Sequence, residues 1–420
     1  MNEVAVIGGG ASGLMAALEA AKNGARVTIF EHKDRIGKKI LMTGNGKCNF
    51  SNLSFSDKDY YTDNFEVLNE VFHMFSNIDM KNYLISNGIM VKDKNNYLYP
   101  YTEQAATILD FFRRELSYYQ VKIITESEII KISQNLKEDN GCFTLEHKEQ
   151  TEKVRDKFDC IILACGGKAA PQSGSDGSGY QLAKEFGHTV IQPLPSLVQL
   201  RSSESYFKSI AGVRCEAEIK LCVDGKILTA ESGELQLTDY GISGIPVFQL
   251  SGAAAEALEQ KKRVEALIDF IPGTLEKELI RQVTSQIERL NKLKTSATFE
   301  EVLFGLINKK LLLMMLKQSG FRPEDSILNI RQADLEKLIH RMKTWYVKIV
   351  NTNPFANAQV CRGGVSCKEM NSDCESLLVP GLFFAGEIVN VDGRCGGYNL
   401  QWAWSSGYVA GKNAAYKHIN

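Results

Sequence analysis

Three features that would each place the chain in a familiar class are scarce or missing. Its ten cysteines are too few for a disulfide scaffold in 420 residues. With no C-x-x-C pair either, reduced thiols in a cytosol are expected. The longest apolar runs, such as 311–316, reach about six residues, where a membrane-spanning helix needs about 20. Neither sign of charge is in excess, because the chain has 49 basic and 50 acidic residues. We therefore expect a cytoplasmic protein with no membrane partner and no nucleic-acid partner bound through a basic surface.

Apolar residues make up 44% of the chain and charged residues 24%, which is typical of a globular protein. The length predicts two or three domains. The N-terminus opens directly on the apolar stretch Val4 to Ile7, which predicts a strand and is not typical of a signal peptide.

The first 31 residues carry the clearest pattern in the chain. A strand at 4–7, a helix at 14–23 and a strand at 26–30 form a βαβ unit, which builds parallel sheet. The turn between the first strand and the helix reads Gly8-x-Gly10-x-x-Gly13. Gly8 permits the tight turn, Gly10 lets a pyrophosphate approach the backbone, and Gly13 allows close packing of the helix. Glu31 ends the second strand, where its carboxylate is placed to accept from ribose hydroxyls, so a bound dinucleotide is predicted.

Further patterns organise the rest of the chain. Helices are predicted at 65–87 and 103–118, strands at 121–125, 128–132, 142–146 and 153–155, a hairpin turn at Asn140-Gly141, and a buried strand at 158–164. A composition change near Pro193 introduces alternating strand patterns, such as 216–223, and then helical patterns, such as 275–293. We interpret 1–190 and 346–420 as two parts of one cofactor domain, and 191–345 as an insert of β-barrel followed by helices that covers the substrate side.

Two features near the C-terminus favour FAD over NAD as the dinucleotide. A strand at 382–387 ends in Gly386-Glu387, an acid suited to the ribityl or pyrophosphate region. Gly396-Gly397 then opens a helix, whose positive end would stabilise the negative charge of a reduced flavin. No second G-x-G-x-x-G lies between a strand and a helix, so NAD(P)H is expected only as a transient reductant.

Longer motifs carry a resemblance to one family. They are KILMTGNGKCN at 39–49, GSDGSGY at 174–180, GISG at 241–244, VPGLFFAGE at 379–387 and VDGRCGGYNLQWAWSSG at 391–407. Together they resemble the HI0933-like, or BaiN/RdsA-type, NAD(P)/FAD-dependent oxidoreductases of bacteria over essentially the whole chain. At Cys361, Cys374 and Asn390 the chain departs from the residues usual in that pattern.

The resemblance implies an α/β fold, a glutathione-reductase-like Rossmann FAD domain with a β-meander, split by the insert. Members of the family are linked to saturating a C=C bond of 3-oxo bile acid intermediates, and others to aminoacetone oxidation. The residues expected at the cofactor are Gly8, Gly10, Ala11, Ser12, Gly13, Glu31, Lys38, Lys39, Thr43, Gly44, Asn45, Gly46, Cys48, Asn49, Ile129, Ala164, Gly166, Gly386, Glu387, Gly397, Tyr398, Asn399 and Leu400.

The expected function is therefore FAD-dependent reduction of an activated C=C in a small carbonyl substrate, with NAD(P)H as electron donor. Two alternatives stay open: an amine oxidase that uses O2, and a flavoprotein of RNA modification or without catalysis. Tyr240, Arg394 and Tyr398 are the candidates for supplying a proton or polarising a carbonyl. Cys48 lacks the partner that disulfide redox chemistry needs. The spacing of the four C-terminal cysteines matches no metal site, so none is expected.

Overall fold

The computed structural model describes residues 1–134, 142–149 and 152–417. The chain forms two compact units: unit 1 comprises Met1–Leu194 and Ala358–Asn420, and unit 2 comprises Pro195–Asn357. The predicted insert, 191–345, ends earlier than unit 2. The predicted hairpin turn at Asn140-Gly141 lies outside the described residues.

The strands are β1 (Glu3–Ile7), β2 (Arg26–Phe30), β3 (Ser51–Asn52), β4 (Tyr60–Thr62), β5 (Val91–Lys94), β6 (Tyr97–Pro100), β7 (Lys122–Ile124), β8 (Ser127–Gln134), β9 (Phe143–Glu149), β10 (Glu152–Phe158), β11 (Cys160–Leu163), β12 (Val190–Ser196), β13 (Leu200–Arg201), β14 (Arg214–Val223), β15 (Lys226–Thr238), β16 (Gly241–Ser243), β17 (Val264–Asp269), β18 (Trp345–Ile349), β19 (Asn351–Thr352), β20 (Val360–Val365), β21 (Leu382–Phe384) and β22 (Val391–Gly393). The helices are α1 (Ala11–Lys22), α2 (Lys38–Met42), α3 (Phe65–Met74), α4 (Asn77–Ser86), α5 (Ala105–Tyr118), α6 (Ser178–Glu185), α7 (Phe207–Ile210), α8 (Ile245–Glu259), α9 (Glu276–Lys292), α10 (Phe299–Leu303), α11 (Lys309–Gln318), α12 (Gln332–Lys343) and α13 (Tyr398–Tyr416).

The central sheet of unit 1 has the order β21-β11-β1-β2-β7, and its neighbouring strands are parallel. The apolar residues of β1 are almost completely buried, as expected for a parallel strand covered on both faces. The antiparallel meander β8-β9-β10 follows β7. The predicted Rossmann-type α/β fold is confirmed.

Helix α13 packs against α1 at very short range. A Cβ added at Gly407 would lie 2.5 Å from the Ser12 carbonyl oxygen, and one at Gly411 would lie 2.2 Å from the Ala16 oxygen. Only glycine allows two helix backbones to approach so closely. The last helix of the chain is therefore tied to the first βαβ unit.

The predicted helix at 65–87 is wrong as a single element. The structure has α3 and α4 there, because Ser76 forms a capping box with Asp79 and starts a new helix. The Ser76 hydroxyl satisfies a free N–H of the first turn, which favours a helix start at that residue over continuation.

Unit 2 contains a sheet with the order β18-β17-β14-β15-β16-β13-β19. Its two outer strands, β18 and β19, are separated in sequence only by Val350, so one stretch of chain joins both edges and the sheet curls round. Helices α9 to α12 pack with this sheet and with α7 and α8 into the second hydrophobic core, to which α9 contributes Leu279, Val283 and Ile287.

Candidate functional site

The carboxyl ends of β1, β2, β11 and β21 lie at one edge of the central sheet. The loops that follow these strands are 8–10, 31–37, 164–177 and 385–388. Ligands of doubly wound sheets bind outside the carboxyl ends of the strands. Seven of the 23 residues predicted to hold the cofactor lie in these loops, so the fold brings these seven to one edge: Gly8, Gly10, Glu31, Ala164, Gly166, Gly386 and Glu387.

The three glycines of the first turn have different surroundings. Gly8 has φ of +106°, and a Cβ there would lie 2.5 Å from the Ala164 oxygen. A Cβ on Gly13 would lie 1.9 Å from the Gly8 oxygen. At Gly10, in contrast, φ is −81° and no atom lies within 4 Å of a Cβ position. The fold itself requires Gly8 and Gly13, whereas Gly10 faces open space.

This open space lies at the amino end of α1. The N-cap residue Gly10 provides no side-chain cap, and the first turn contains no acidic residue. A helix begins with N–H groups that lack intrahelical acceptors and carries partial positive charge there. The arrangement fits an anion such as a diphosphate, so the residues present fit the pyrophosphate of the predicted FAD.

Glu31 follows β2 and is 8% exposed. Its Oε2 accepts a hydrogen bond from the Gly9 N–H at 2.9 Å, and its Oε1 accepts one from the Lys33 N–H at 2.8 Å. These bonds fix the carboxylate beside the glycine turn. Each oxygen has a further lone pair with which to accept a hydrogen bond from a hydroxyl group, which is compatible with the predicted ribose contact.

The two lysines predicted near the cofactor have different partners. Lys39 Nζ lies 2.6 Å from Oε2 of Glu387, whose Oε1 accepts from the Cys361 N–H at 2.9 Å. This pair joins the segment after β2 to the segment after β21. Lys38 instead pairs with the exposed carboxylate of Asp34.

The segment 43–49 follows a tight left-handed path. Gly44, Asn45, Gly46 and Cys48 have φ of 54°, 53°, 84° and 55°. Cys48 is fully buried, and burial raises the pKa of its thiol to about 12. Such a thiol stays protonated at neutral pH, which disfavours redox chemistry at this residue. The neighbouring Asn49 has a buried Oδ1 without a hydrogen-bond partner among the described residues, and this acceptor is available to a ligand.

Helix α13 provides a second uncapped amino end. Its N-cap residue Gly397 has φ of 95°, no side-chain cap and no acidic residue in the turn that follows. Asn399 fixes the preceding strand: its Oδ1 accepts from the Gly393 N–H at 2.8 Å, and its Nδ2 donates to the Gly393 oxygen at 2.7 Å. The free N–H groups fit the anionic pyrimidine end of a reduced flavin.

Other predicted cofactor residues contact the same segments. A Cβ on Gly386 would lie 2.4 Å from the Ser12 Oγ, and one on Gly166 would lie 2.5 Å from the Ser175 Oγ. The Thr43 hydroxyl donates to a carbonyl oxygen of α2 at 2.6 Å. Ala11 and Leu400 are partly buried and pack against the core.

The meander meets β2 at Glu31. The Ser127 N–H donates to the backbone carbonyl oxygen of Glu31 at 3.0 Å. Ile129 lies in the same strand, β8, next to a bulge. The sequence did not predict the hydrogen bonds that join β8 to the other two strands of the meander. The fully buried His147 has Nδ1 3.0 Å from the Ser127 Oγ and Nε2 2.9 Å from Oδ2 of Asp156. No local sequence motif indicates this hydrogen-bond network, because Ser127, His147 and Asp156 belong to three different strands.

The predicted catalytic candidates do not form one cluster within unit 1. The Tyr398 hydroxyl donates to the Ser54 oxygen at 2.8 Å, and burial chiefly raises its pKa to about 12. Arg394 has its Nε 3.7 Å from a carboxylate oxygen of Asp59. Tyr240 belongs to unit 2, where its hydroxyl accepts from Nδ2 of Asn353 at 3.2 Å.

The described part of the chain contains no group of three or more His, Cys, Asp and Glu residues arranged to hold a metal ion. Within the same residues, the helices are all too short or too polar to cross a membrane.

Comparison with known proteins gives a consistent result. The family model described as HI0933-like protein Rossmann domain matches residues 2–413. The chain is 39% identical over 418 residues to a 3-dehydro-bile acid delta(4,6)-reductase of Clostridium scindens, covering 99% of each chain. It is 32% identical to a ribosomal RNA dihydrouridine synthase of Haemophilus influenzae, covering 97% of each chain. It is 27% identical to the Escherichia coli protein of the same name, covering 97% of this chain and 96% of that one.

Proposed function

Because the chain belongs to the HI0933-like family of FAD-dependent oxidoreductases, we propose that it reduces a carbon–carbon double bond conjugated to a carbonyl group. The observation that carries the proposal is the 39% identity, over 99% of both chains, to an enzyme named as a reductase of this kind. The uncapped amino ends of α1 and α13 support the cofactor half of the proposal.

The names of the relatives share one chemistry. A delta(4,6)-reductase of a 3-dehydro-bile acid saturates bonds conjugated to the 3-oxo group. A dihydrouridine synthase saturates the C5–C6 bond of uracil, which is conjugated to the C4 carbonyl. In both, the carbonyl activates the β-carbon toward hydride and the α-carbon takes a proton.

The residues of unit 1 have separate tasks in this proposal. The α1 amino end and the Gly10 space would hold the diphosphate, Glu31 would hold the adenosine ribose, and the α13 amino end would hold the pyrimidine ring. When bound, FAD supplies hydride from its N5 position. Lys39 neutralises Glu387 and keeps that carboxylate in place beside the Cys361 N–H. NAD(P)H is the proposed electron donor, and it would visit transiently because the sequence carries one G-x-G-x-x-G fingerprint.

We favour a small carbonyl compound as substrate over uridine in RNA. The chain is more similar to the bile acid enzyme than to the RNA enzymes, and its net charge is −1. Uridine in ribosomal RNA is the second candidate, favoured by the names of two relatives.

The test starts from protein purified under air and examined for flavin absorbance near 450 nm. Anaerobic addition of NADH or NADPH should bleach the flavin, and an oxidant should then restore its colour. The oxidants to compare are 4-androstene-3,17-dione and a uridine-containing oligoribonucleotide, each with product analysis by mass spectrometry. Aminoacetone is added to the oxidised protein in a separate reaction, and hydrogen peroxide is measured.

Re-oxidation by the steroid enone with a gain of two hydrogens supports the proposal. Re-oxidation by the oligonucleotide alone moves the assignment to RNA modification. Formation of hydrogen peroxide with aminoacetone assigns an amine oxidase instead. Protein that binds no FAD would refute the proposal and its alternatives together.

A further inference from the structure

The hairpin β5-β6 places one tyrosine ring beside the amino end of α13 and a second beside the segment 43–49. Tyr97 and Tyr99 alternate with Leu98, which is fully buried. Since successive side chains of a strand point to opposite faces, the two tyrosines share the face away from Leu98.

Tyr97 lies against the amino end of α13. Its Cε1 is 2.4 Å from the position that a Cβ on Gly396 would take, so glycine at 396 is what allows the ring to sit there. The neighbouring Asn52 strengthens this junction by donating from Nδ2 to the Gly396 oxygen at 2.9 Å. Tyr97 nevertheless remains 36% exposed, and one part of its ring is therefore open to a ligand.

Tyr99 lies against the segment 43–49. Its Cε1 is 3.8 Å from the position that a Cβ on Gly44 would take. Lys47 and Lys92 form ion pairs with Glu103 next to it, at 3.0 and 2.5 Å. The two rings thus link the TGNGKCN segment to the amino end of α13, and a charged group borders them.

We propose that Tyr97 and Tyr99 form an aromatic wall that binds the planar conjugated ring of the substrate next to the flavin. The inference rests on the proposed function, which assigns the pyrimidine ring of the flavin to the amino end of α13, and it adds the residues that recognise the substrate ring. An aromatic face suits this ligand because the O=C–C=C group of a cyclic enone and the ring of a uracil are both planar, and stacking needs no exact hydrogen-bond pattern.

The test uses the FAD-loaded protein and three substitutions at each tyrosine position. Tyr97→Ala and Tyr99→Ala remove the ring. Tyr97→Leu and Tyr99→Leu keep an apolar side chain of similar volume without the ring, and Tyr97→Phe and Tyr99→Phe keep the ring without the hydroxyl. The probe is 4-androstene-3,17-dione, titrated into oxidised protein and followed by the perturbation of flavin absorbance. A uridine oligonucleotide in a parallel titration distinguishes the two sources of the ring. Tyr118→Ala is the control, because that ring is 72% exposed on α5.

We expect the Ala and Leu variants to weaken probe binding about tenfold and to raise KM more than they lower kcat. The Phe variants should stay within about twofold of the native protein, and all variants should retain their flavin. Equal affinity of the native and Ala proteins would overturn the inference while leaving the proposed function intact. If the native protein neither binds nor reduces either probe, both fail.

Discussion

Gly10 and Gly13 lie in the same turn, yet their substitution should produce opposite defects. At Gly10 the backbone angle suits any residue and a Cβ meets nothing within 4 Å. Gly10→Val should therefore leave the stability of the apoprotein within about 1 kcal/mol of the native value. The valine side chain would occupy the space proposed for the diphosphate. Loss of one charge-assisted hydrogen bond, about 2 kcal/mol, corresponds to roughly 30-fold weaker FAD binding.

Gly13→Ala should behave in the reverse way. Its Cβ would lie 1.9 Å from the Gly8 oxygen, which belongs to backbone, so α1 must move away from β1. Overpacking of this kind costs about 3 kcal/mol. Urea unfolding of both apoproteins and fluorescence titration with FAD separate the two effects. A Gly10→Val protein that binds FAD normally, or one that unfolds as easily as Gly13→Ala, would refute the reasoning.

Three further predictions concern other residues of unit 1. Lys39→Met should weaken FAD binding about tenfold by leaving Glu387 without its cation, because a hydrogen bond to a charged group is worth about 1.5 kcal/mol. Lys38→Met is the matched control, and equal losses in both variants would contradict the role of the ion pair. His147→Gln should lower the free energy of unfolding by about 1–3 kcal/mol, because a buried partner is left unsatisfied; unchanged urea denaturation would count against that network. Cys48 has a thiol pKa raised by burial to about 12, so it should resist iodoacetamide at pH 8 in the native protein. The unfolded chain releases this proton at lower pH than the folded protein. The contribution of Cys48 to the free energy of unfolding is therefore fully present below the usual thiol pKa and falls between pH 9 and about 12, by up to about 1.4 kcal/mol per pH unit. A free energy of unfolding that does not change over this pH range would argue against the burial effect.

Local signals predicted the parts of the fold that depend on short stretches of chain. The strand predicted at 26–30 is β2 with the same bounds, because a β-branched apolar run between turn residues has few alternatives. The helix predicted at 275–293 is α9, Glu276–Lys292, since its apolar residues recur at helical spacing. The break at Ser76 was missed because the helical pattern continues across a capping residue.

Long-range partners of the candidate site could not be predicted in the same way. The motifs placed Lys39 and Glu387 near the cofactor, but nothing local indicates that they pair with each other. The Ser127–His147 contact likewise depends on strand register. The sequence does not indicate a binding role for Tyr97 and Tyr99, because three tyrosines at alternate positions are ordinary for a strand. The role proposed for them depends on their packing beside Gly396 and Gly44.

The close contact of α1 and α13 has a consequence for the order of folding. The contacts of Ser12 with Gly407 and of Ala16 with Gly411 can form only after α13 has been synthesised, long after α1. Contacts between such distant parts of a chain form slowly, whereas unit 2 is complete in sequence by Asn357. A nascent chain should therefore acquire a protease-resistant unit 2 before residues 1–194 of unit 1 become protected, and cofactor uptake should follow the synthesis of α13.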